Sequence, residues 1–280
     1  MTGCEAPRIT PRRDTEMGSY GDRPTTRSCP EDLKQMKKLN AKSGWAKGIF
    51  LFVFATLILS SVYAIVGVAS APAGPIPGVE YEKMKSDYAL MLVQCLLGIA
   101  VMFLPSALER RLRIAIPGFM YVLFVVFLYG AIYLGEIRSF YYRIPHWDLI
   151  LHGFSGLMLG ALSFSVIALL NDSEKITLSL SPSFVAVFAF SFAVAIGVLW
   201  EVYEFFLDGL LGLNMQKYAL ENGRVLIGRG ALVNTMGDLI VDAIGATVMS
   251  AVGYVSVKYK KGWVGRMLMK RAASATSLRP

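Results

Sequence analysis

The chain has 280 residues, a formal net charge of +8, 55% hydrophobic residues and 17% charged residues; its mean hydropathy is +0.51. Soluble domains average roughly 45–50% apolar and about 25% charged residues, so a water-soluble globule is excluded. The apolar residues fall in continuous runs and do not alternate, which excludes a strand-period barrel and leaves an all-α polytopic bundle.

In chain order, residues 1–45 come first, polar and rich in Pro, Arg, Thr and Lys with no periodic apolar stripe. They read as a disordered basic tail. Six apolar blocks follow near 46–69, 88–104, 115–134, 148–170, 183–206 and 234–257, separated by punctuation such as PAGPIPG at 72–78, LERRLR at 108–113 and NDSEK at 171–175. A bilayer-spanning helix needs roughly 20 apolar residues, so the blocks predict a six-helix transmembrane domain over 46–257. A second basic tail covers 258–280. The cysteines Cys4, Cys29 and Cys95 form no C-x-x-C pair, so neither a disulfide framework nor a thiolate metal site is expected.

Basic residues stay on the cytoplasmic side of a membrane protein. With the N-terminus inside, 21 of the 28 Lys and Arg residues fall on inner segments and 7 on outer ones. The chain therefore reads N-in/C-in, and the surplus charge reads as topology. The C-terminal tail carries seven basic residues and no acid, so membrane lipid is the expected partner. A nucleic-acid role needs a basic face on a folded module, and none is evident.

Charged side chains inside spans are costly and mark function by default. Block four opens IPHWDLILHGFSG and holds both histidines of the chain, His146 and His152. Asp148, His152 and Ser155 share one helix face. Block five closes LWEVYEFFLD, which puts Glu201, Glu204 and Asp208 on one face, and block six opens with Asn234, Asp238, Asp242 and Gly245 in a single stripe. Block three ends at Glu136. Helix direction places all these groups in the outer half of the bilayer, with His152, Glu201 and Asp242 about one to two turns below the surface. The six carboxylates Glu136, Asp148, Glu201, Glu204, Asp238 and Asp242 cannot all stay ionised in a low dielectric. Retained protons, a divalent cation, or an arginine reaching in from Arg138, Arg143, Arg224 or Arg229 would relieve them. Two imidazoles with several carboxylates suit Zn, Mn or Fe. Asp148, His152, Glu201, Asp238 and Asp242 are the candidate metal ligands, and Glu204 and His146 the candidate proton-handling groups. Each piece also has a plainer reading: Glu136 and Asp208 as helix-end residues, Trp147 and Trp200 as interfacial belt, Gly156-x-x-x-Gly160 as a close helix crossing.

At GEIRSFYYRIPHWDLILHGFSG (135–156), LWEVYEFFLD (199–208) and NTMGDLIVDAIGA (234–246) the chain resembles the YjdF-like bacterial inner-membrane proteins, over about residues 46–257. The resemblance implies a multi-span protein of the bacterial cell membrane and no established activity. A looser similarity is to VanZ-like membrane proteins, in the order of an Asp-x-x-x-His helix start, a Glu-bearing helix and a late acidic helix. The acid-phosphatase, rhomboid and ceramidase-like intramembrane patterns and the Walker nucleotide motif are absent. The expected function is a metal-dependent enzyme acting on a lipid or lipid-linked envelope molecule; the alternatives are a cation or proton transporter and a non-catalytic membrane scaffold.

Overall fold

The computed structural model describes residues 44–74, 83–171, 180–220 and 224–271. Most of the expected N-terminal tail, and residues 272–280, lie outside them.

Among the described residues, six helices are long and apolar enough to cross a membrane. The first, α1, is Gly44–Ser70. The second span is α2, Lys85–Met102, continued by α3, Leu104–Leu112. Pro105 sits in the first turn of α3, where its missing N–H removes no helical bond. Arg113 then ends the helix in the left-handed region at φ 53°, and strand β1, Ile114–Ala115, follows. The third span is α4, Gly118–Leu128, which widens into a π-helical segment, Tyr129–Ile137. A short turn of helix, α5 (Phe140–Arg143), leads into α6, Trp147–Asn171.

The last two spans, α7 (Pro182–Leu211) and α8 (Arg229–Lys258), are each 30 residues long. The helical hydrogen bonding extends five residues past the apolar blocks at the shared end, through LDGLL on α7 and RGALV on α8. Entry to α7 is fixed by Ser181, whose Oγ accepts from the Phe184 N–H at 3.2 Å, and by Pro182 in the first turn. Gly212, at φ 63°, closes the helix in the left-handed conformation that glycine tolerates best.

The spans pack as two sets of three. In the first set, Val53 and Leu57 of α1, Cys95 and Met102 of α2, and Tyr121 and Val125 of α4 form one apolar core. In the second, Ala161 and Phe164 of α6, Val185 and Ala189 of α7, and Met249 of α8 form another. Here α6 and α8 run side by side in the same direction. Gly156 lies against the Asp242 backbone, Gly160 against Met249, and Phe164 against Gly253. The sets meet where Phe127 stacks on Phe154, with ring centroids 6.2 Å apart, and where Leu90 packs with Leu213 and Met215. Large apolar side chains such as Leu59 (71% exposed), Val187 (64%) and Phe205 (64%) point outward. That much exposed apolar surface would be a liability in water and is the normal state against lipid tails.

Beyond α8 the chain folds back on the bundle. The Val264 N–H donates to Ser256 Oγ at 3.2 Å. Ser165 Oγ donates to the Met267 carbonyl at 3.1 Å and accepts from the Met269 N–H at 3.2 Å. Strand β2, Lys270–Arg271, then pairs antiparallel with β1. Residues on both sides of the expected boundary at 258 thus belong to one packed end.

Candidate functional site

His152 stands one turn and a half into α6, 8% exposed, and every close polar neighbour of its ring comes from another turn or another helix. Its Nδ1 lies 3.2 Å from Asp242 Oδ2 on α8. Its Nε2 lies 3.9 Å from Asp148 Oδ1 on the preceding turn and 3.8 Å from Glu201 Oε1 on α7. A carboxylate accepts, so Nδ1 is the ring nitrogen that donates to Asp242. The Nε2 edge of the ring faces Asp148 and Glu201.

Asp242 is held on both oxygens. Ser155 Oγ lies 2.9 Å from Oδ1 and 2.8 Å from the His152 carbonyl, sharing its proton between them. The space for this carboxylate is made by missing side chains. A Cβ on Gly197 of α7 would stand 2.5 Å from Asp242 Oδ2, and one on Gly156 of α6 would stand 2.6 Å from the Asp242 carbonyl oxygen. No real Cβ is tolerated at such distances. One helical turn on, a Cβ on Gly245 would meet the Gly153 carbonyl at 2.5 Å. The stripe Asn234–Asp238–Asp242–Gly245 therefore faces α6 along its whole length, its first member donating from Nδ2 to Asp148 Oδ2 at 2.9 Å.

The remaining acids of the cluster are poorly satisfied. Asp238 is 1% exposed and Glu201 4%. Among the described residues neither Asp238 oxygen has a hydrogen-bond partner, and Glu201 has only Gln216 and Thr235 as nearby donors. Asp148, His152 and Asp238 each offer one ligand atom, and these atoms lie within 4.8 Å of one another. This is a His/Asp cluster with the spacing and donor chemistry to hold a metal ion. Its distance from the helix ends differs between helices, and His152 is five residues past the start of α6. Asp242 is thirteen residues past the start of α8, about 20 Å along the axis at 1.5 Å per residue.

The segment between α7 and α8 roofs this end of the bundle. Asp208 accepts the Met215 and Gln216 N–H groups at 2.7 and 2.9 Å, so it acts as the cap that turns the chain back. Asn214 Oδ1 accepts the Ala219 N–H at 3.0 Å and its Nδ2 donates to the Ala219 carbonyl at 2.8 Å, closing a small loop. Gln216 Nε2 donates to Thr235 Oγ1 at 2.9 Å. From this loop Lys217 enters, its Nζ 2.7 Å from Glu136 Oε1 and 4.6 Å from the Tyr141 ring centroid. Burial opposes its charge, but the Glu136 carboxylate outweighs burial and holds the ammonium above the usual lysine range. Tyr141 is pushed well above the usual phenol value, first by burial and then by the negative field of Asp148, Glu136, Glu204 and Asp238. Its ring packs against Gly135 of the π-helical segment.

The family model described as "Predicted membrane protein (DUF2238)" matches residues 49–259. The chain belongs to this family. The DUF2238 match spans all six helices and every residue of the cluster, and it is consistent with the YjdF-like resemblance carried by the three signatures. A Thermotoga maritima protein whose recorded name is "Uncharacterized protein" is 29% identical over 130 residues, 46% of this chain and 57% of that protein. This DUF2238 chain thus aligns with little more than half the length of that relative. No solved structure matches.

Among the expected site residues, His152, Asp148, Asp238, Glu201 and Asp242 converge. Asp242 approaches from the Nδ1 side, opposite the edge that faces the other acids. Glu204 is buried one turn from Glu201, 8% exposed. His146 is not brought to the cluster. It is exposed in the hairpin before α6, with φ 61°. Trp147, read as an interfacial residue, instead donates from Nε1 to the Gly130 carbonyl of the π-helical segment at 3.2 Å. The base that enters is Lys217, and Arg138, Arg143, Arg224 and Arg229 are exposed. Sequence reasoning missed Lys217 because a lysine in a short outer loop looks like any other topological charge. It also missed Gly197, although a glycine one turn before Glu201 inside an apolar helix was an available signal.

Proposed function

We propose that the protein is a metal-dependent membrane enzyme acting on a lipid or lipid-linked envelope substrate, with its site toward the outer face of a bacterial inner membrane. The observation that carries this reading is the buried carboxyl of Asp238, which has no hydrogen-bond partner among the described residues, beside the Nε2 edge of His152 that Glu201 also faces at 3.8 Å. Leaving carboxylates unpaired in a low dielectric is costly, and a divalent cation among them offsets that cost. Asp148, His152 and Asp238 would hold the ion, with Glu201 closing from α7. Asp242 would act as the outer partner that fixes the ring, as carboxylates behind metal-bound histidines do. A first-row divalent ion supplies Lewis acidity and acidifies water. Glu204, on the same face of α7, is the group to take and return a proton. A site enclosed by spanning helices suits a substrate that partitions into the bilayer.

The transporter reading has less support. Below the cluster the described residues of α6–α8 bury no carboxylate, imidazole or ammonium; the core there is Ala161, Phe164, Val185, Ala189 and Met249. The scaffold reading predicts a polar network without bound metal. Elemental analysis of detergent-purified protein separates them. Stoichiometric Zn, Mn or Fe in the wild type, lost in His152→Ala/Asp238→Ala at unchanged helicity, is the expected result. Metal-free wild type, prepared without chelator and not taking up added metal, overturns the enzyme reading.

A further inference from the structure

The loop between α7 and α8 turns its side chains the wrong way round for a loop in water. Its polar members face the protein. Asn214 closes onto Ala219, Gln216 Nε2 donates to Thr235 Oγ1 at 2.9 Å, and Lys217 Nζ reaches Glu136 Oε1 at 2.7 Å, with Leu213 and Met215 buried between them. The returning half is tied to the outgoing half by backbone bonds. The Leu220 N–H donates to the Arg224 carbonyl at 3.0 Å and the Leu226 N–H to the Tyr218 carbonyl at 2.8 Å; residues 221–223 lie outside those described. On the returning half Leu226 turns toward the start of α8, where a Cβ on Gly230 would stand 3.9 Å from its own Cβ. Val225 and Ile227, on either side of it, point away from the protein, and Ile227 is 90% exposed.

A single exposed apolar residue needs no explanation; a run of them does. Here the run continues onto both helices that the loop joins. Leu210 (79% exposed) and Leu211 end α7, and Leu232 and Val233 begin α8, all of them exposed. The outward surface of the loop is thus continuous along the chain with the lipid-facing surface of the two spans. Helix length sets its level. Each helix has 30 residues, about 45 Å at 1.5 Å per residue. The hydrocarbon core is about 30 Å thick, and about 40–45 Å with the headgroup layers included. Helices of this length end in the headgroup layer, so the loop between them lies there too. Arg224 and Arg229 bracket the apolar run and are exposed. Long basic side chains beside an apolar segment keep their stems in the apolar phase and reach phosphate oxygens with their heads.

We propose that residues 224–229 are a membrane-interface anchor, seated in the phospholipid headgroup layer of the adjacent leaflet with Val225 and Ile227 directed at the acyl boundary. The anchor does not depend on metal at the His152 cluster.

Full-length protein in phosphatidylethanolamine–phosphatidylglycerol nanodiscs tests it. Cys4→Ser and Cys29→Ser remove two thiols, and Cys95 is buried. Ile227→Cys then carries a nitrobenzoxadiazole label. Leu199→Cys, exposed on the apolar part of α7, is the deep reference. Emission at 227 should be lost when the lipid carries a spin label at the top of its acyl chain and retained with aqueous iodide. Emission at 199 should be lost instead to a spin label near the chain end. Because the label is itself apolar, hydrogen exchange on unlabelled protein is the second measurement. Val225→Ser/Ile227→Ser should speed exchange across 224–228 in nanodiscs at unchanged Tm. Emission at 227 lost to iodide and kept with spin-labelled lipid puts the run in water, and emission insensitive to both puts it under protein. Either result, or exchange unchanged in the double variant, overturns the proposal.

Discussion

Asp242 Oδ2 sits 3.2 Å from His152 Nδ1 in a space that exists because residue 197 has no side chain. The relationship joins three helices through two atoms and an absence. It makes the orientation of the imidazole a property of packing as well as of charge.

Removing the charge while keeping the shape tests the orienting role. In Asp242→Asn the amide can still accept from Nδ1 but no longer stabilises a polarised ring. Replacing such an outer partner typically costs 10–100-fold in metal affinity. The expected outcome is a drop of that size in competition titrations with a chelating dye, with the helical circular dichroism signal retained. Affinity equal to wild type would show that Asp242 has no part in tuning the ring.

Gly197→Ala tests the packing half. Its added methyl must displace Asp242 Oδ2, and overpacking of this kind costs typically 1–3 kcal/mol. A lower Tm is expected together with weaker metal binding. Gly209→Ala on the same helix, where a Cβ meets nothing within 4 Å, serves as the control and should leave both unchanged.

The Lys217–Glu136 pair should behave as a buried ion pair does. Lys217→Met leaves Glu136 enclosed without its cation, a change that costs about 3–5 kcal/mol. The double variant Lys217→Met/Glu136→Gln removes both charges and should recover much of the loss in thermal unfolding. A double variant no more stable than the single one would place the damage in packing against Tyr141 and Tyr142.

The roof also sets an alkaline limit. Lys217 is raised in the folded protein by Glu136 against the opposing effect of burial, and Tyr141 is raised by burial and nearby acids. A group with a raised folded pKa contributes stability that is complete below its unfolded value and is lost as pH climbs through the folded one. Unfolded lysine and tyrosine titrate near 10. Stability should therefore be unaffected by these groups up to about pH 10 and fall above it. Phenolate absorbance should show Tyr141 ionising only with unfolding, and Tyr141→Phe should remove that late component. A Tyr141 signal appearing with the exposed tyrosines would contradict the buried, acid-facing placement.

The six spans could be read directly, because each is a long apolar run between Pro, Gly and charge clusters. The stripes could be read too: Asn234, Asp238, Asp242 and Gly245 recur at helical spacing and do face α6. Which oxygen of which acid meets which edge of His152 could not be read. Spacing assigns a residue to a face and says nothing of rotamer or of the helix opposite. Likewise the roof loop is irregular backbone, ordered by side-chain bonds from Asp208 and Asn214 that leave no periodic trace. The place of His146 was not legible either. It is near in sequence, but the turn at φ 61° carries it outside the helix that bears the site.

The antiparallel pairing of Ile114–Ala115 with Lys270–Arg271 has a bearing on how the protein is made. The first strand follows the second span and the other follows the sixth, so the partner of β1 leaves the ribosome only after every span has been synthesised. Until then the edge at Ile114–Ala115 stays open while the first three helices wait in the membrane. The strand pair can therefore form only late, after the sixth span has been synthesised. A variant that cannot form it, such as Ala115→Pro, should insert normally yet be cleared faster by membrane proteases, as a chain whose last step of assembly never closes.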